Sequence, residues 1–173
     1  MAKNPQHDPK QEFLTLVEAH QGIVNRVSVL YSASTHERDD LRQEILLQLW
    51  HSFPSFRGSA AFSTWMFRVA LNTALLTRRR QRARPRTTEL AESEPAPSAP
   101  DTDADLGRLQ DCIRALPELD RAIILLYLER QPHDLIGELT GLSRKNVGVR
   151  VVRIKARLRA CLEARRKDFE RTS

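Results

Sequence analysis

Residues 131–159, QPHDLIGELTGLSRKNVGVRVVRIKARLR, leave few folds open to this chain. Leu135, Ile136 and Leu139 recur at the spacing of one helix face. Gln131-Pro132 suits the start of that helix, because proline at the first helical position gives up an amide bond that is absent there anyway. Gly141 supplies the tight turn that follows, where a side chain at positive φ would clash. Ser143 is a good N-cap for a second helix. Leu142 and Val147 would pack that helix back on the first, and small Gly137 marks a close crossing. The pattern predicts a helix-turn-helix.

The outer face of its second helix carries Arg144, Lys145, Asn146, Arg150, Arg153, Lys155, Arg157 and Arg159. The N-terminal part of such a helix enters the DNA major groove, where Arg and Asn read base edges and the remaining cations hold phosphates. A solvated basic helix in a small bundle is the bland alternative. Turn glycine, cap and apolar spacing together favour DNA.

The rest of the chain excludes more than it adds. Its 173 residues carry a formal net charge of +6, which favours a polyanionic partner. No apolar run is long enough to span a membrane, and the opening MAKNPQHDPKQE is too polar for a secretory signal. A cytoplasmic protein with no membrane insertion is expected. Cys112 and Cys161 fall in separate helical patterns without metal-like spacing, so both are expected to be reduced and structural. The five histidines are scattered. No metal site or cofactor is expected. Without a Gly-rich phosphate loop, nucleophile elbow or paired carboxylates, the chain does not read as an enzyme.

Composition divides the chain. Residues 85–105 are mostly Pro, Ala, Ser, Thr and acids, among them Glu89, Glu92, Glu94, Asp101, Asp103 and Asp105. That is linker chemistry. Helix-period apolar patterns dominate on both sides. The expected fold is all-α: two small helical domains, residues 1–84 and 106–173, joined by a flexible acidic linker, the second domain a helix-turn-helix.

The first domain reads as three or four helices. Phe13, Leu14, Leu16, Val17, Ile23, Val24, Val27 and Leu30 form an apolar stripe over residues 11–31. Ser34-Thr35-His36-Glu37 fits a capping box. The helix it starts buries Leu41, Ile45, Leu46 and Leu49 by spacing, leaving Asp39, Asp40, Gln43, Glu44, Leu47 and Trp50 partly outward, and Pro54 ends it. A third helix runs from about Ser63 to Arg80, into the run RRRQRARPR.

Around its start, Phe56, Arg57, Phe62, Trp65, Phe67 and Arg68 interleave aromatics with positive charge. Aromatic faces stack on unpaired bases, typically worth about 1–3 kcal/mol each, while neighbouring cations follow phosphates. Such a surface suits opening or single-stranded DNA. Phe62 and Phe67 read equally well as core. Trp65, with Arg68 one helical step away, is the stronger contact candidate.

DDLRQEILLQLWHSFPSFRGSAAFSTWMFRVALNTALLTRRR in the first half and LPELDRAIILLYLERQPHDLIGELTGLSRKNVGVRVVRIKARLR in the second, in this order across a linker, resemble the extracytoplasmic-function sigma factors. These are the small two-domain specificity subunits of bacterial RNA polymerase. The resemblance runs from about Phe13 to Leu162 and implies a sigma factor that joins core polymerase, recognises promoter DNA and melts it. Asp39, Asp40, Gln43, Glu44, Leu47 and Trp50 match the family's docking face for the β′ clamp of a core whose β subunit is also a partner. Phe56, Arg57, Ser59 and Phe62 in the loop, with Trp65, Arg68 and Asn72 on the next helix, match its reader of the −10 element. A flipped, trapped base would offset the few kcal/mol of unpairing. The linker matches the segment that threads toward the active-site cleft. Ser143, Arg144, Lys145, Asn146, Arg150 and Arg153 match its −35 contacts. A cognate anti-sigma factor is a further expected partner.

Some residues depart from the family pattern. Gly137 stands where a small alanine is usual, Lys145-Asn146-Val147 where the recognition helix commonly begins Gly-Thr-Val, and Val149 where Ser is frequent. These leave the fold expectation intact and bear on the promoter sequence. Two rival functions differ in kind. A stand-alone helix-turn-helix regulator accounts for residues 131–159 but leaves the aromatic–arginine loop and acidic linker without a role. An interaction protein such as an RNA-binding adaptor would bind single-stranded RNA with no duplex preference.

Overall fold

The computed structural model describes residues 8–83 and 101–172, with side chains from 8–83 and 105–167. Among these residues there are eight α-helices, one 3-10 turn and no strand. They fall into two compact units, one within residues 1–94 and one within 95–173. Most of the expected linker lies outside the described residues. Its last five positions do not behave as linker, because helix α5 already begins at Asp101.

The first unit holds α1 (Pro9–Ala19), α2 (Gln21–Tyr31), α3 (Thr35–Ser52), a 3-10 turn (Phe53–Ser55) and α4 (Phe62–Ala83). Asp8 caps α1 by accepting the Lys10 amide at 3.0 Å, with Pro9 in the first turn. The apolar stripe over residues 11–31 divides at His20. The division lets Phe13 face Trp50 and Phe53 while Ile23, Val24, Val27 and Leu30 enter the main core. Leu14, expected in the stripe, is exposed.

The capping box before α3 forms in a shifted version. Ser34 Oγ accepts the Glu37 amide at 3.2 Å, and the Glu37 carboxylate accepts the amide of Ala33 rather than that of Ser34, at 2.7 Å. Leu41, Ile45 and Leu49 are buried along one face of α3, while Leu46 is half-buried. On α4, Met66, Phe67, Ala70 and Ala74 are almost fully enclosed, and α4 packs on both α2 and α3. The two alanines let the α4 backbone approach its neighbours. Each large side chain enclosed here contributes roughly 1.5–3 kcal/mol relative to exposure.

The second unit holds α5 (Asp101–Arg114), α6 (Glu118–Leu128), α7 (His133–Thr140) and α8 (Arg144–Thr172). Val147, Val151, Ile154 and Leu158 form the buried stripe of α8, against Ile123 to Leu126 of α6, Ile136 of α7, and Cys112, Ile113 and Leu116 of α5. Arg121 is buried as well. Its guanidinium donates to the carbonyls of Arg114 and Leu116, so the charge meets the C-terminal end of α5.

The cysteines overturn an expectation. Cys112 on α5 and Cys161 on α8 form a disulfide, with Cα atoms 6.0 Å apart. Their separation of 49 residues hides the pairing in the sequence, because only the packing of α5 along α8 brings them together. Pro132 also differs from expectation: it is the N-cap of α7, with extended ψ of 148°, rather than its first helical residue.

Candidate nucleic-acid interface

The turn of the helix-turn-helix forms for the local reasons legible in its residues. Gly141 takes φ 73°, ending α7 in the left-handed region that favours glycine. Ser143 Oγ accepts the Asn146 amide at 3.3 Å, so this hydroxyl is engaged in capping α8. Gly137 is required by a different contact from the one expected. A Cβ there would run into the carbonyl oxygen of Leu142, in the turn, rather than into the second helix.

The outward residues of α8 divide into two groups. Lys145, Asn146, Val149, Val152 and Arg153 are exposed. Arg150 is only part-exposed and donates from Nε to Asp120 Oδ1 at 2.6 Å, while Arg157 reaches the other oxygen at 3.1 Å. Asp120 is 4% exposed, so both arginines are tied to a buried acid on α6. Arg150, expected among the base contacts, is thus anchored on one flank of the helix. Arg144 pairs with Asp134 at 3.2 Å, both well exposed, an arrangement that contributes little and yields easily to a phosphate. Lys155 donates to the Tyr127 hydroxyl at 2.6 Å.

Asp120 was not among the expected functional residues. The available signal was a charged pair, Asp120-Arg121, at the head of the apolar run AIILL, where both side chains had to find partners. Leu142, Asn146, Val149, Arg150 and Arg153 line an open cleft of about 380 Å³ with Asp120 and Arg157.

In the first unit, the residues of the aromatic–arginine segment form a continuous ring cluster. Phe56 lies 5.5 Å from Phe62 and 5.2 Å from Trp65, and Phe62 lies 5.3 Å from Trp65, centroid to centroid. Phe53 joins them and connects through Phe13 to Trp50. Phe62 and Phe67 are buried, at 8% and 1% exposed, so the core reading holds for both. Phe62 forms a wall of the cluster and offers no free ring face. Phe56 and Trp65 remain half-buried, each with surface left to solvent.

In the loop between the turn and α4, Arg57 and Ser59 are exposed, with Gly58 at φ 69° reversing the chain between them. Trp65, Arg68 and Asn72 follow at three- and four-residue steps, which sets them on one face of α4 with Arg68 and Asn72 exposed. The loop and this face adjoin through the ring cluster. What they can do chemically is stack an unpaired base on exposed ring surface while cations meet the backbone.

On α3, Asp39, Asp40, Gln43 and Leu47 are exposed and Glu44 is half-buried. Trp50 is 42% exposed, but its ring also packs edge-on against Phe13 at 5.1 Å. Trp50 therefore borders a groove of about 550 Å³ shared by Pro9, Glu12, His51, Phe53, Pro54 and Phe56. That groove depends on α1 lying beside the end of α3, a tertiary neighbourhood no local pattern encodes.

Among the described residues, no cluster of His, Cys, Asp and Glu is arranged to hold a metal ion, and no helix is long and apolar enough to cross a membrane.

Residues 16–84 match the family model for Sigma-70 region 2, and residues 106–158 that for Sigma-70, region 4. The ECF RNA polymerase sigma factor SigG of Mycobacterium tuberculosis is 31% identical over 102 residues, covering 57% of this chain. The match spans 28% of SigG's own length. The ECF RNA polymerase sigma-E factor of Haemophilus influenzae is 28% identical over 170 residues, covering 90% of this chain and 89% of that protein. The sigma factor RpoE from Bartonella quintana, solved in complex with the anti-sigma factor NepR, shares the fold: TM-score 0.70 at 22% identity, over 89% of this chain and 96% of that one.

Proposed function

The chain belongs to the sigma-70 family, in its extracytoplasmic-function class, and from that premise we propose that it is a promoter-specificity subunit of bacterial RNA polymerase. It binds core polymerase, recognises two promoter elements and opens the duplex between them. It acts by binding rather than by catalysis. The observation that carries the reading is the presence, in one chain and in family order, of a helix-turn-helix with a basic outward face and a ring cluster beside exposed arginines.

Each surface has a role. Asp39, Asp40, Gln43, Glu44, Leu47 and Trp50 dock on the clamp of the β′ subunit, with the β subunit as a second contact. Arg57, Ser59, Arg68 and Asn72 hold the −10 strand, and Phe56 and Trp65 offer ring surface to an extruded base. Phe62 acts through the ring packing. Lys145, Asn146 and Arg153 contact the −35 element, with Arg144 released from Asp134 to a phosphate and Ser143 setting the start of the helix. An anti-sigma factor is a further partner, by analogy with the RpoE–NepR pair.

Run-off transcription tests the reading, using purified core polymerase and a library of genomic fragments with and without the protein. Discrete start sites that require the protein are expected. Duplex binding without polymerase, and no dependent starts, would replace the sigma reading by that of a stand-alone regulator.

A further inference from the structure

We propose that α8 reads the 5-methyl groups of thymine through Val149 and Val152, while Asp120 holds the intervening Arg150 off the bases. The inference rests on the reading of α8 as the helix that enters the −35 major groove.

Val149 and Val152 are 46% and 68% exposed on a helix whose other outward residues are mostly charged. A single exposed valine is ordinary. Two of them one helical step apart, on the side of α8 opposite the buried Val147, Val151, Ile154 and Leu158, form a stripe. The stripe lies in the first three turns of the second helix, the part that enters the groove in this motif. Lys145, Asn146 and Arg153 border it, so its surroundings fit a polyanion better than an apolar protein helix.

Within the major groove only thymine presents an apolar group to such a surface, its 5-methyl. Valine suits that contact for two reasons. Its side chain is short, so the helix must approach the groove floor closely. It is also stiff at χ1, so little rotamer freedom is lost on contact. Val149 lines the cleft shared with Asn146 and Arg153, which places a methyl-sized apolar wall beside two groups able to hydrogen-bond base edges.

Arg150 follows Val149 directly and would sweep the same base steps if its side chain were loose. The 2.6 Å contact to Asp120 prevents this. Asp120 is therefore a positioning residue: it keeps the guanidinium at the flank, toward the phosphates, and leaves the centre of the face apolar.

The test begins with the aligned upstream elements of the protein-dependent start sites. Holoenzyme binding is measured on duplexes in which each thymine of that element is replaced, one at a time, by deoxyuridine, which pairs identically but lacks the methyl. Loss of affinity of about fourfold is expected at one or two positions, corresponding to one buried methyl. That loss disappears in Val149→Ala at one position and in Val152→Ala at another. Both side chains are exposed, so neither substitution disturbs the core. Equal binding of all the duplexes, a loss that persists in both variants, or an element without thymine would overturn the inference while leaving the sigma reading in place. Val149→Ala and Val152→Ala weakening only the grip of a protein partner would overturn it in favour of a protein-docking face. Absence of any dependent start would overturn the sigma reading and this inference with it.

Discussion

Arg150 donates its Nε–H to Asp120 Oδ1 across 2.6 Å, joining the basic helix α8 to the core helix α6. The acid is 4% exposed and its arginine partners are 39% and 61% exposed. That asymmetry sets what Asp120→Ala would do. Removing one partner of a fully buried pair costs about 3–5 kcal/mol, because a charge is stranded. Here the arginines can turn to water, so a smaller loss of about 1–3 kcal/mol is expected, from the hydrogen bonds alone. Urea unfolding of the full chain measures it. The same variant releases Arg150, so discrimination between promoter sequences should fall more than binding to unrelated duplex. A uniform loss on all sequences would show that Asp120 matters for stability only.

The disulfide makes a second prediction. Cys112 and Cys161 close a chain segment of 49 residues, and in the chain-entropy account a loop of that length stabilises by about 4 kcal/mol. Cys112→Ser, or a strong reductant, should lower the unfolding midpoint of the second unit and leave that of the first unchanged. Tryptophan fluorescence reports the first unit, since Trp50 and Trp65 both lie there, and far-ultraviolet circular dichroism reports both. A shift shared equally by the two signals would count against the assignment.

Gly137→Ala supplies a third. Alanine gains about 1 kcal/mol of helix propensity over glycine. Its Cβ, however, meets the carbonyl oxygen of Leu142, a backbone atom that cannot swing aside. Overpacking of that kind typically costs about 1–3 kcal/mol, so net destabilisation is expected, with the turn displaced and DNA affinity reduced. Increased stability in urea would show that the turn relaxes freely and accommodates the extra methyl.

These residues also mark what a sequence can disclose. The helix-turn-helix was legible because Gly141, Ser143 and Val147 act on neighbours within a few positions: a left-handed turn, a cap, an apolar contact. The α3 cap was legible for the same reason, although Glu37 takes the amide of Ala33 instead of that of Ser34. Arg150 with Asp120, Cys112 with Cys161, and Phe13 with Trp50 were not, since each joins residues at least 30 positions apart through helix packing. Phe62 was ambiguous for a further reason. Ring stacking on a base and ring packing in a core demand the same residue types, and only burial separates them.

Trp65 gives the final prediction. Its ring lies 5.2 Å from Phe56, 5.3 Å from Phe62 and 6.4 Å from Phe53, yet stays half-exposed where α4 meets the arginine-bearing loop. Three aromatic neighbours fix the indole before any DNA arrives, so stacking a base on its exposed surface requires little further ordering. Such stacking is worth about 1–3 kcal/mol, against a few kcal/mol for unpairing the base. Trp65→Ala should therefore slow formation of the open complex on duplex promoter by tenfold or more. A template melted in advance has already met the unpairing cost and should lose less. Trp65→Phe, which keeps a ring in the cluster, should recover most of the difference. Equal losses on duplex and pre-melted templates would mean that Trp65 holds the shape of the unit and takes no part in opening DNA.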